Sequence, residues 1–548
     1  MLYLYSNTLY QMRKSPVYCS LLLTVSLFAF SLKAPAQDAV VKKIIHEGTT
    51  NNQTQKHLDI LTNRIGGRPV GSDAYNAAVQ WAAAQFESWG LEVSIEEAGE
   101  TRVGFSRGPW SGKIYGGILP GGDGIHLHFA TPSYTSGTIG LQRGHVVIEP
   151  KTQAEFDRMK GVLKGAWVLV TGTNTGWPVD RSVKGDQRRD SLIRLNEEVA
   201  RHNNDVMRRY RARSGDRRMN IDEMQEALKD SLLKTSDEPA LFYRQMADAG
   251  ILGLIQSAPV PITALWDKET AFGETSSFEN LPSIPDIKLD EHQYAYIYQL
   301  AKERQPIALE FDIRNHFRPG PVKFHNVVAK ITGTHYPDQY VMVSGHLDSY
   351  DVAAGGVDCG VGVTPAMESA RLLSVAGAKP KRSILFVLFA GEEFGLLGAT
   401  AWVEQHKDEL ERISNLFNRD GGPLAATGVA VPKAMYEDFV KASKHISDIN
   451  PDFPFTVDTI PPRPMPKRTG GTDASVFAIK GVPTINLRDG DVKGYDFNYR
   501  EIWHTERDLY TKSIGEYQEH TSVVQAVIVY NLANLDHLLS REGLYYEQ

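Results

Sequence analysis

From about residue 305 onward, short apolar runs alternate with helical patterns. The apolar runs predict strands over Leu309–Ile313, Asn326–Ile331, Tyr340–Val343, Ser383–Phe389 and Gly481–Leu487. Helical spacing predicts helices over Val361–Val375 and Ile514–Leu539, the second one amphipathic. The run Ser383–Phe389 is almost wholly apolar, as in a strand that is buried on both faces. The alternation predicts an α/β domain with a mainly parallel mixed sheet and helices on both faces.

Residues 38–98 predict two helices, around Leu58–Ile65 and Ala77–Trp89, and a half-buried strand over Leu91–Ile95. Residues from about 120 to 300 are less regular. They contain a strand pattern over Ala166–Val170, and Ala247–Ile255 has the pattern of a helix end, a glycine turn and a buried strand.

Between these two segments lies a charged stretch of mixed sign, about residues 180–237. Mixed charges of this kind indicate a solvated helical excursion rather than a binding surface. The chain therefore divides into a larger domain over residues 37–120 and 301–548 and a smaller, β-rich insertion over residues 121–300.

The first 36 residues have the pattern of an export signal. Arg13 and Lys14 precede the apolar run Val17–Phe30, and Ala34–Ala36 supplies small residues for cleavage. A membrane anchor is the alternative, but the apolar run is short for a span. We expect residues 1–36 to be a signal peptide. The mature protein is then exported to a periplasm or the cell exterior, and no other segment has the pattern of a membrane span.

Composition excludes several classes of protein. The 548 residues are 42% hydrophobic and 23% charged, which is typical of a globular chain of two or three domains. A net charge of -7 argues against a nucleic-acid partner. Cleavage after Ala36 leaves Cys359 as the one cysteine, so an internal disulfide is excluded.

Ionisable residues follow several of the predicted strands. His346 and Asp348 follow one strand, Glu392 and Glu393 follow another, and His504 ends the loop after Gly481–Leu487. Imidazoles and carboxylates without thiolates are the ligands of an open catalytic zinc site. Two neighbouring ions need a bridging carboxylate. Asp358 is a good candidate, because it lies in a glycine-rich turn directly before a helix.

Each of these residues also has an ordinary structural explanation when it is taken singly. His346 is explained as a packed histidine, Glu392 and Glu393 as acids at a helix start, and His504 as a residue packed beside Trp503. Their joint arrangement at strand ends favours a metal site.

The residues His346–Asp348, Asp358, Gly391–Gly398, Asp420 and His504–Thr505 resemble the M28 zinc peptidases in order and spacing. That family contains aminopeptidases and some carboxypeptidases on one α/β fold. The similarity covers about residues 38–98 and 309–539. The region between them resembles the protease-associated (PA) domain that some members carry as an insertion.

The resemblance implies a role for each residue and two Zn²⁺ ions per chain. Asp358 bridges both ions, Glu393 and His504 complete one set of ligands, and His346 and Asp420 complete the other. Glu392 is the general base that moves protons between water and the leaving amine. Asp348 holds the imidazole of His346, and Asp508 supports the site near His504 in a similar way.

The chain departs from the family pattern at two places. Members commonly have Asp or Asn after the bridging aspartate, where this chain has Cys359, which is better explained as a packing residue than as a ligand. The segment Asn418–Gly422 lacks the usual apolar residues after Asp420.

Several further residues are weaker candidates. The loop Gly470–Asp473 has the pattern of an active-site loop, and Arg463, Lys467 and Arg468 before it are candidates to receive a substrate carboxylate. An exposed proline-rich loop is an equal alternative. Tyr495 or Tyr499 is a candidate to stabilise the oxyanion, and the sequence does not choose between them.

These observations predict an exported di-zinc metallopeptidase that cleaves a terminal peptide bond of a peptide substrate through a metal-activated water. We expect an aminopeptidase. The alternatives are a carboxypeptidase or dipeptidase with the same site, or a peptidase-like binding protein without activity. The presence of Glu392 argues against the last alternative, because an inactive site has no need of the base. The sequence does not determine the oligomeric state.

Overall fold

The computed structural model describes residues 37–116, 124–214 and 225–546, so the predicted signal peptide lies outside the described residues. The helices are α1 (Gln37–Thr50), α2 (Thr54–Asp59), α3 (Asp73–Ser88), α4 (Gln153–Met159), α5 (Val183–Ser214), α6 (Tyr243–Asp248), α7 (Lys268–Phe272), α8 (Glu291–Lys302), α9 (Gly360–Val375), α10 (Leu397–Gln405), α11 (Tyr436–Ala442), α12 (Ala474–Ala478) and α13 (Gly515–Ala533). A π-helical segment, Ile60–Ile65, follows α2. Within the described ranges, no helix is both long enough and apolar enough to cross a membrane.

The strands fall into two large and two small sheets. They are β1 (Glu92–Ser106), β2 (Trp110–Gly116), β3 (Ile125–His126), β4 (Phe129–Ala130), β5 (Gln142–Ile148), β6 (Ala166–Val170), β7 (Gly253–Ala258), β8 (Asp286–Asp290), β9 (Ile307–Ile313), β10 (His316–Ile331), β11 (Tyr336–His346), β12 (Arg382–Phe389), β13 (Ile413–Asn418), β14 (Ala425–Pro432), β15 (Thr456–Ile460), β16 (Arg463–Pro464), β17 (Leu487–Gly490) and β18 (Tyr545–Tyr546). The small sheets have the orders β15-β14-β17 and β16-β18.

The central sheet has the order β1-β10-β12-β11-β13. β11 pairs in parallel with β12 and β13, whereas β10 pairs antiparallel with β1 and β12. The sheet is therefore mixed, and its parallel part comprises the three neighbouring strands β11, β12 and β13. Because parallel strands end at the same edge, the residues after these three strands meet in space.

Helices cover both faces of the central sheet, as the sequence predicts. Alternate residues of β12 point to opposite faces of the sheet. Ile384, Phe386 and Leu388 pack in the core on one face, with α1, α3, α9 and α13. Leu385, Val387 and Phe389 pack on the other face with α10 and α12. The wholly apolar sequence of β12 follows from burial on both sides.

Two predicted elements differ from the structure. Gly481–Leu487 is not a strand, since the side chain of Asn415 makes both hydrogen bonds to the backbone of Ile485, each 2.9 Å long, and Pro483 has no N–H to donate. The last helix, α13, ends at Ala533 and is buried on all sides rather than amphipathic, because α1, α9 and α11 cover the surface that the sheets leave open.

The second large sheet has eight strands in the order β3-β2-β9-β5-β6-β7-β8-β4. It runs from Trp110 to Ile313 and so extends past both predicted boundaries of the insertion, residues 121 and 300. β9 contains the segment Leu309–Ile313, which pairs in this sheet rather than in the central one. The charged stretch forms the long helix α5. The assignment of this region to a PA domain stays a prediction.

Candidate active site

Three neighbouring parallel strands bring four of the predicted site residues to one edge of the central sheet. His346 is the last residue of β11, opposite Phe389 of β12, and Asn418 ends β13 opposite Ser344. Glu392 and Glu393 follow β12 by three and four residues, and Asp420 follows β13 by two. The ends of the three parallel strands therefore bring these side chains together, as expected from the sequence.

Asp358 lies between two pairs of side chains. One carboxylate oxygen, Oδ1, is 3.2 Å from Nε2 of His346, which is itself 3.5 Å from the carboxylate of Asp420. The other oxygen, Oδ2, is 3.8 Å from Nε2 of His504, which is 3.0 Å from Glu393 Oε2. All five predicted ligand residues thus lie together, with one carboxylate facing both imidazoles.

The backbone around Asp358 is held by Asp508. The carboxylate of Asp508 accepts hydrogen bonds from the N–H groups of Val357, at 2.6 Å, and of Asp358, at 3.2 Å. Burial and the nearby charge of Asp358 raise the pKa of Asp508 to about 7. The sequence interpretation placed Asp508 beside His504. In the structure its hydrogen bonds instead hold the turn that carries the central carboxylate.

Asp348 connects the histidine to the two glutamates. Its carboxylate accepts the N–H groups of Glu392, at 3.1 Å, and Glu393, at 3.3 Å. Nδ1 of His346 lies 3.0 Å from the backbone carbonyl oxygen of Asp348 and 3.6 Å from its carboxylate. The carbonyl is therefore the nearer partner of the imidazole, and it fixes Nδ1 as the protonated nitrogen so that Nε2 faces Asp358.

His504 has a left-handed backbone conformation, with a φ of 59°. This conformation costs a non-glycine residue about 1–3 kcal/mol, and such strain concentrates at functional sites. The ring packs edge-on against Tyr350, with ring centroids 4.7 Å apart, and the ring centroids of His504 and Trp503 are 4.2 Å apart. These two aromatic contacts hold the imidazole toward Glu393.

The acidic side chains repel one another strongly. Burial raises the pKa of Glu392 to about 9, and the nearby charges of Asp420 and Glu393 add to this effect. Burial and the charge of Asp358 raise the pKa of Glu393 well above its usual range. A buried group of carboxylates that destabilise one another's charged forms is suited to hold cations. The donor set of imidazoles and carboxylates fits zinc.

A cavity of about 820 Å³ opens onto these residues. The side chains of Asp358, Glu392, Glu393, Asp420 and His504 line it. Its walls come from the loops after the central strands and from the insertion, and include Trp177, Trp266, Lys268, Tyr350, Phe394, Gly470, Gly471, Tyr499 and Trp503. The cavity volume is that of an ordinary small-ligand site.

The cavity distinguishes among the weaker sequence candidates. Tyr499 lines it, whereas Tyr495 is exposed and donates its hydroxyl hydrogen to Glu516 at 2.6 Å. Gly470 and Gly471 line it as expected. The side chain of Arg463 instead lies over the ring of Tyr545, and Lys467 and Arg468 are exposed outside the cavity lining.

Two groups of residues at the site go beyond the sequence prediction, which named Asp473 only as part of the loop Gly470–Asp473. Asp473 is fully buried near Glu392 and neither of its carboxylate oxygens has a hydrogen-bond partner. Burial, with the nearby charge of Glu392, raises its pKa well above the usual range. The second group, Trp177, Trp266 and Lys268, belongs to the insertion. Its members lie more than 70 residues from any strand-end motif, so no local pattern marks them.

Cys359 is fully buried beside the site. Its Sγ donates to the carbonyl oxygen of Arg419 at 3.1 Å, and it lies close enough to His346 and Asp420 to form a possible ligand group with them. Burial raises the pKa of the thiol to about 11, with the charges of Asp420 and Asp358 adding to the effect. A buried thiol that donates to a carbonyl oxygen fits the packing role that the sequence predicts for Cys359 better than the role of a ligand, and this role stays a prediction.

Comparisons with known proteins agree with this fold. The model of peptidase family M28 matches residues 326–528. Carboxypeptidase Q of Mus musculus is 26% identical over 334 residues, which cover 59% of this chain and 67% of that protein. A probable zinc metalloprotease of Pyrenophora teres is 37% identical over 122 residues, 20% of this chain and 26% of that protein.

Among solved structures, a peptidase M28 precursor from Shewanella amazonensis SB2B has a TM-score of 0.54 and 20% identity. The match covers 92% of this chain and 98% of the other. This similarity confirms the α/β fold class that the sequence predicts.

Proposed function

We propose that the protein is a zinc-dependent exopeptidase of the M28 type acting on peptides, and the match of residues 326–528 to the model of peptidase family M28 supports this proposal. The observation that carries the proposal is the position of Asp358 between two imidazoles, each with a further carboxylate of its own. Such an arrangement serves two neighbouring divalent ions that share one carboxylate.

The residues divide into two sets. His346 and Asp420 would hold one ion, Glu393 and His504 the other, and Asp358 both. Zinc at these positions would polarise the scissile carbonyl and lower the pKa of the attacking water. Asp348 and Asp508 are positioning residues, since the first holds the backbone of the glutamates and the second holds the backbone of the shared aspartate.

Glu392 is the proposed general base. It lines the cavity next to Glu393, and no hydrogen bond or ion pair to either imidazole engages its carboxylate among the described residues. It is therefore free to take a proton from the attacking water and to deliver it to the leaving amine. Its raised pKa in the protein alone would fall toward neutrality beside cations, which is the range that a general base at neutral pH requires.

Tyr499 is the proposed donor to the carbonyl oxygen. Burial and the charge of Asp358 raise the pKa of its phenol, so the hydroxyl keeps its proton. A phenol that lines the cavity can donate to the oxygen that becomes negative as the tetrahedral intermediate forms.

The protein could cleave the peptide bond at the N-terminal or at the C-terminal end of its substrate. The sequence analysis preferred an aminopeptidase. The similarity to carboxypeptidase Q favours a carboxypeptidase. We propose that the protein is a carboxypeptidase or a dipeptidase with the same site. We further propose that it acts after export, as the pattern of residues 1–36 predicts.

Turnover of a dipeptide panel by the zinc-loaded mature protein tests the proposal. The panel contains free, N-blocked and C-blocked dipeptides. Hydrolysis of N-blocked but not C-blocked substrates indicates a carboxypeptidase, the reverse pattern an aminopeptidase, and cleavage of unblocked dipeptides alone a dipeptidase. Absence of hydrolysis across the whole panel contradicts the proposal.

The variant Glu392→Gln should lose activity by roughly 10²–10⁴-fold while it keeps its zinc, because only proton transfer is removed. Glu411→Gln is a matched control, since Glu411 is 85% exposed and lies on the surface. Unchanged turnover in Glu392→Gln would exclude Glu392 as the base.

A further inference from the structure

The insertion contributes a lysine to the cavity in which the proposed chemistry takes place. Lys268 is the first residue of α7, and it lines the same cavity as Glu392 and Asp420. Its ammonium group packs over two indole rings. Nζ lies 4.3 Å from the ring centroid of Trp177 and 5.5 Å from that of Trp266. Cation–π contacts of this kind hold an ammonium group in place without neutralising it.

The segment that carries Lys268 is tied to the catalytic part of the chain. Trp266 is 4% exposed, and its ring packs on Phe394, with centroids 4.4 Å apart. Phe394 directly follows Glu393. Asp267 caps α7 by accepting the N–H of Thr270 at 3.0 Å and pairs with Arg181 at 2.8 Å. The lysine therefore has a defined position relative to the glutamates.

Among the described residues, the ammonium group of Lys268 has no counterion, since no carboxylate lies within 4.0 Å of its Nζ. The neighbouring acid Asp267 is already engaged by Arg181. The acids of the cavity, in turn, are assigned to cations and to proton transfer. Among the described residues that line the cavity, Lys268 is the one lysine or arginine.

We infer that Lys268 is a specificity residue that binds the C-terminal carboxylate of the peptide substrate. The inference rests on the proposed function, and it adds the chemical feature by which the substrate is chosen. A carboxylate is the group that an ammonium over two aromatic rings recognises, and the apolar faces of Trp177 and Trp266 offer a surface for the side chain next to it. This assignment gives the insertion a direct part in selecting substrate.

The experiment compares one dipeptide as the free acid and as the C-terminal amide. The variants are Lys268→Met, which nearly keeps the length of the side chain and removes its charge, Lys268→Arg, which keeps the charge, and Lys302→Met as an exposed control away from the cavity. We expect zinc-loaded wild type and Lys302→Met to prefer the acid in kcat/KM. Lys268→Met should lose roughly 10- to 100-fold on the acid through KM, with little change on the amide, and Lys268→Arg should restore most of the preference.

Two results would overturn the inference. One is equal loss on acid and amide in Lys268→Met, which is the effect of a structural role. The other is wild-type enzyme that cleaves both substrates equally well. A third substrate is a dipeptide amide that carries a glutamate side chain. If Lys268 increases the cleavage of this substrate alone, the lysine binds a side-chain carboxylate. That result would overturn the assignment of Lys268 to the C-terminal carboxylate.

A binding measurement separates failure of this inference from failure of the proposed function. Zinc-loaded protein is titrated with the dipeptide acid and amide while tryptophan fluorescence is followed. If no peptide is hydrolysed, the proposed function fails, but tighter binding of the acid that is lost in Lys268→Met still supports the inference. Equal binding of acid and amide contradicts it.

Discussion

We propose that the carboxylate of Asp508 fixes the position of Asp358, and the variant Asp508→Asn tests this role. Asparagine has the same shape but only one acceptor oxygen. In the structure both carboxylate oxygens are used, by Val357 N–H at 2.6 Å and by Asp358 N–H at 3.2 Å. The variant therefore keeps one hydrogen bond and turns an amide NH₂ toward the second N–H.

The size of the effect follows from these contacts. A hydrogen bond to a charged acceptor contributes about 1.5–3 kcal/mol, and Asp508 is only 5% exposed, so water does not replace the lost partner. If that loss displaces Asp358, zinc affinity falls by about 10- to 100-fold, which is the usual range for a residue that supports a ligand.

Competition with a chromogenic chelator measures the zinc dissociation constant directly. Asp290→Asn is the matched control, because Asp290 also accepts two backbone N–H groups, from His292 at 2.9 Å and Gln293 at 3.3 Å, at the start of α8 in the second sheet. We expect weaker zinc binding in Asp508→Asn only. Equal zinc affinity in wild type and both variants would show that Asp508 does not hold the site.

Three further outcomes are expected. Tyr499→Phe should lower kcat by about 10²–10³-fold and leave KM nearly unchanged, because the hydroxyl acts on the developing oxyanion; a change confined to KM would contradict this role. Cys359→Ser should keep the full zinc content by elemental analysis and most of the activity, whereas loss of one ion would identify the thiol as a ligand. Chelator-treated protein should become less stable as pH rises between about 4 and 9, since the folded protein raises the pKa of Glu392 to about 9 and of Asp508 to about 7 and so binds more protons than the unfolded chain. Thermal denaturation at pH 5 and pH 8.5 checks this trend, and a stability that rises with pH would refute it.

The ionisable residues at the strand ends were predictable from the sequence, because each of them lies only a few residues after an apolar run. A buried strand that runs directly into an ionisable residue is visible in the pattern of β11 and β12, and the parallel pairing of these strands brings the residues together. Asp420 follows by the same logic through β13, although its flanking residues are unusual. The predicted strand over Gly481–Leu487 failed because one side chain, Asn415, replaced the strand pairing that an apolar pattern normally indicates.

Long-range contacts account for what the sequence did not predict. Nothing in the residues around Lys268 indicates that they face a site formed some 80 to 230 residues later in the chain. The hydrogen bonds of Asp508 likewise depend on how the loop after His504 lies against the turn before α9. The second sheet extends past the predicted edges of the insertion, because β2 and β9 have ordinary strand patterns that fit either sheet.

The central claim is that Asp358 serves two zinc ions at once in a hydrolytic site. The most direct measurement is to titrate the metal-free mature protein with zinc while both bound metal and dipeptide hydrolysis are followed. We expect two ions bound per chain, with full activity reached only when both are present, and loss of both ions in Asp358→Ala. Full activity with one ion, or two ions bound equally well by Asp358→Ala, would contradict it.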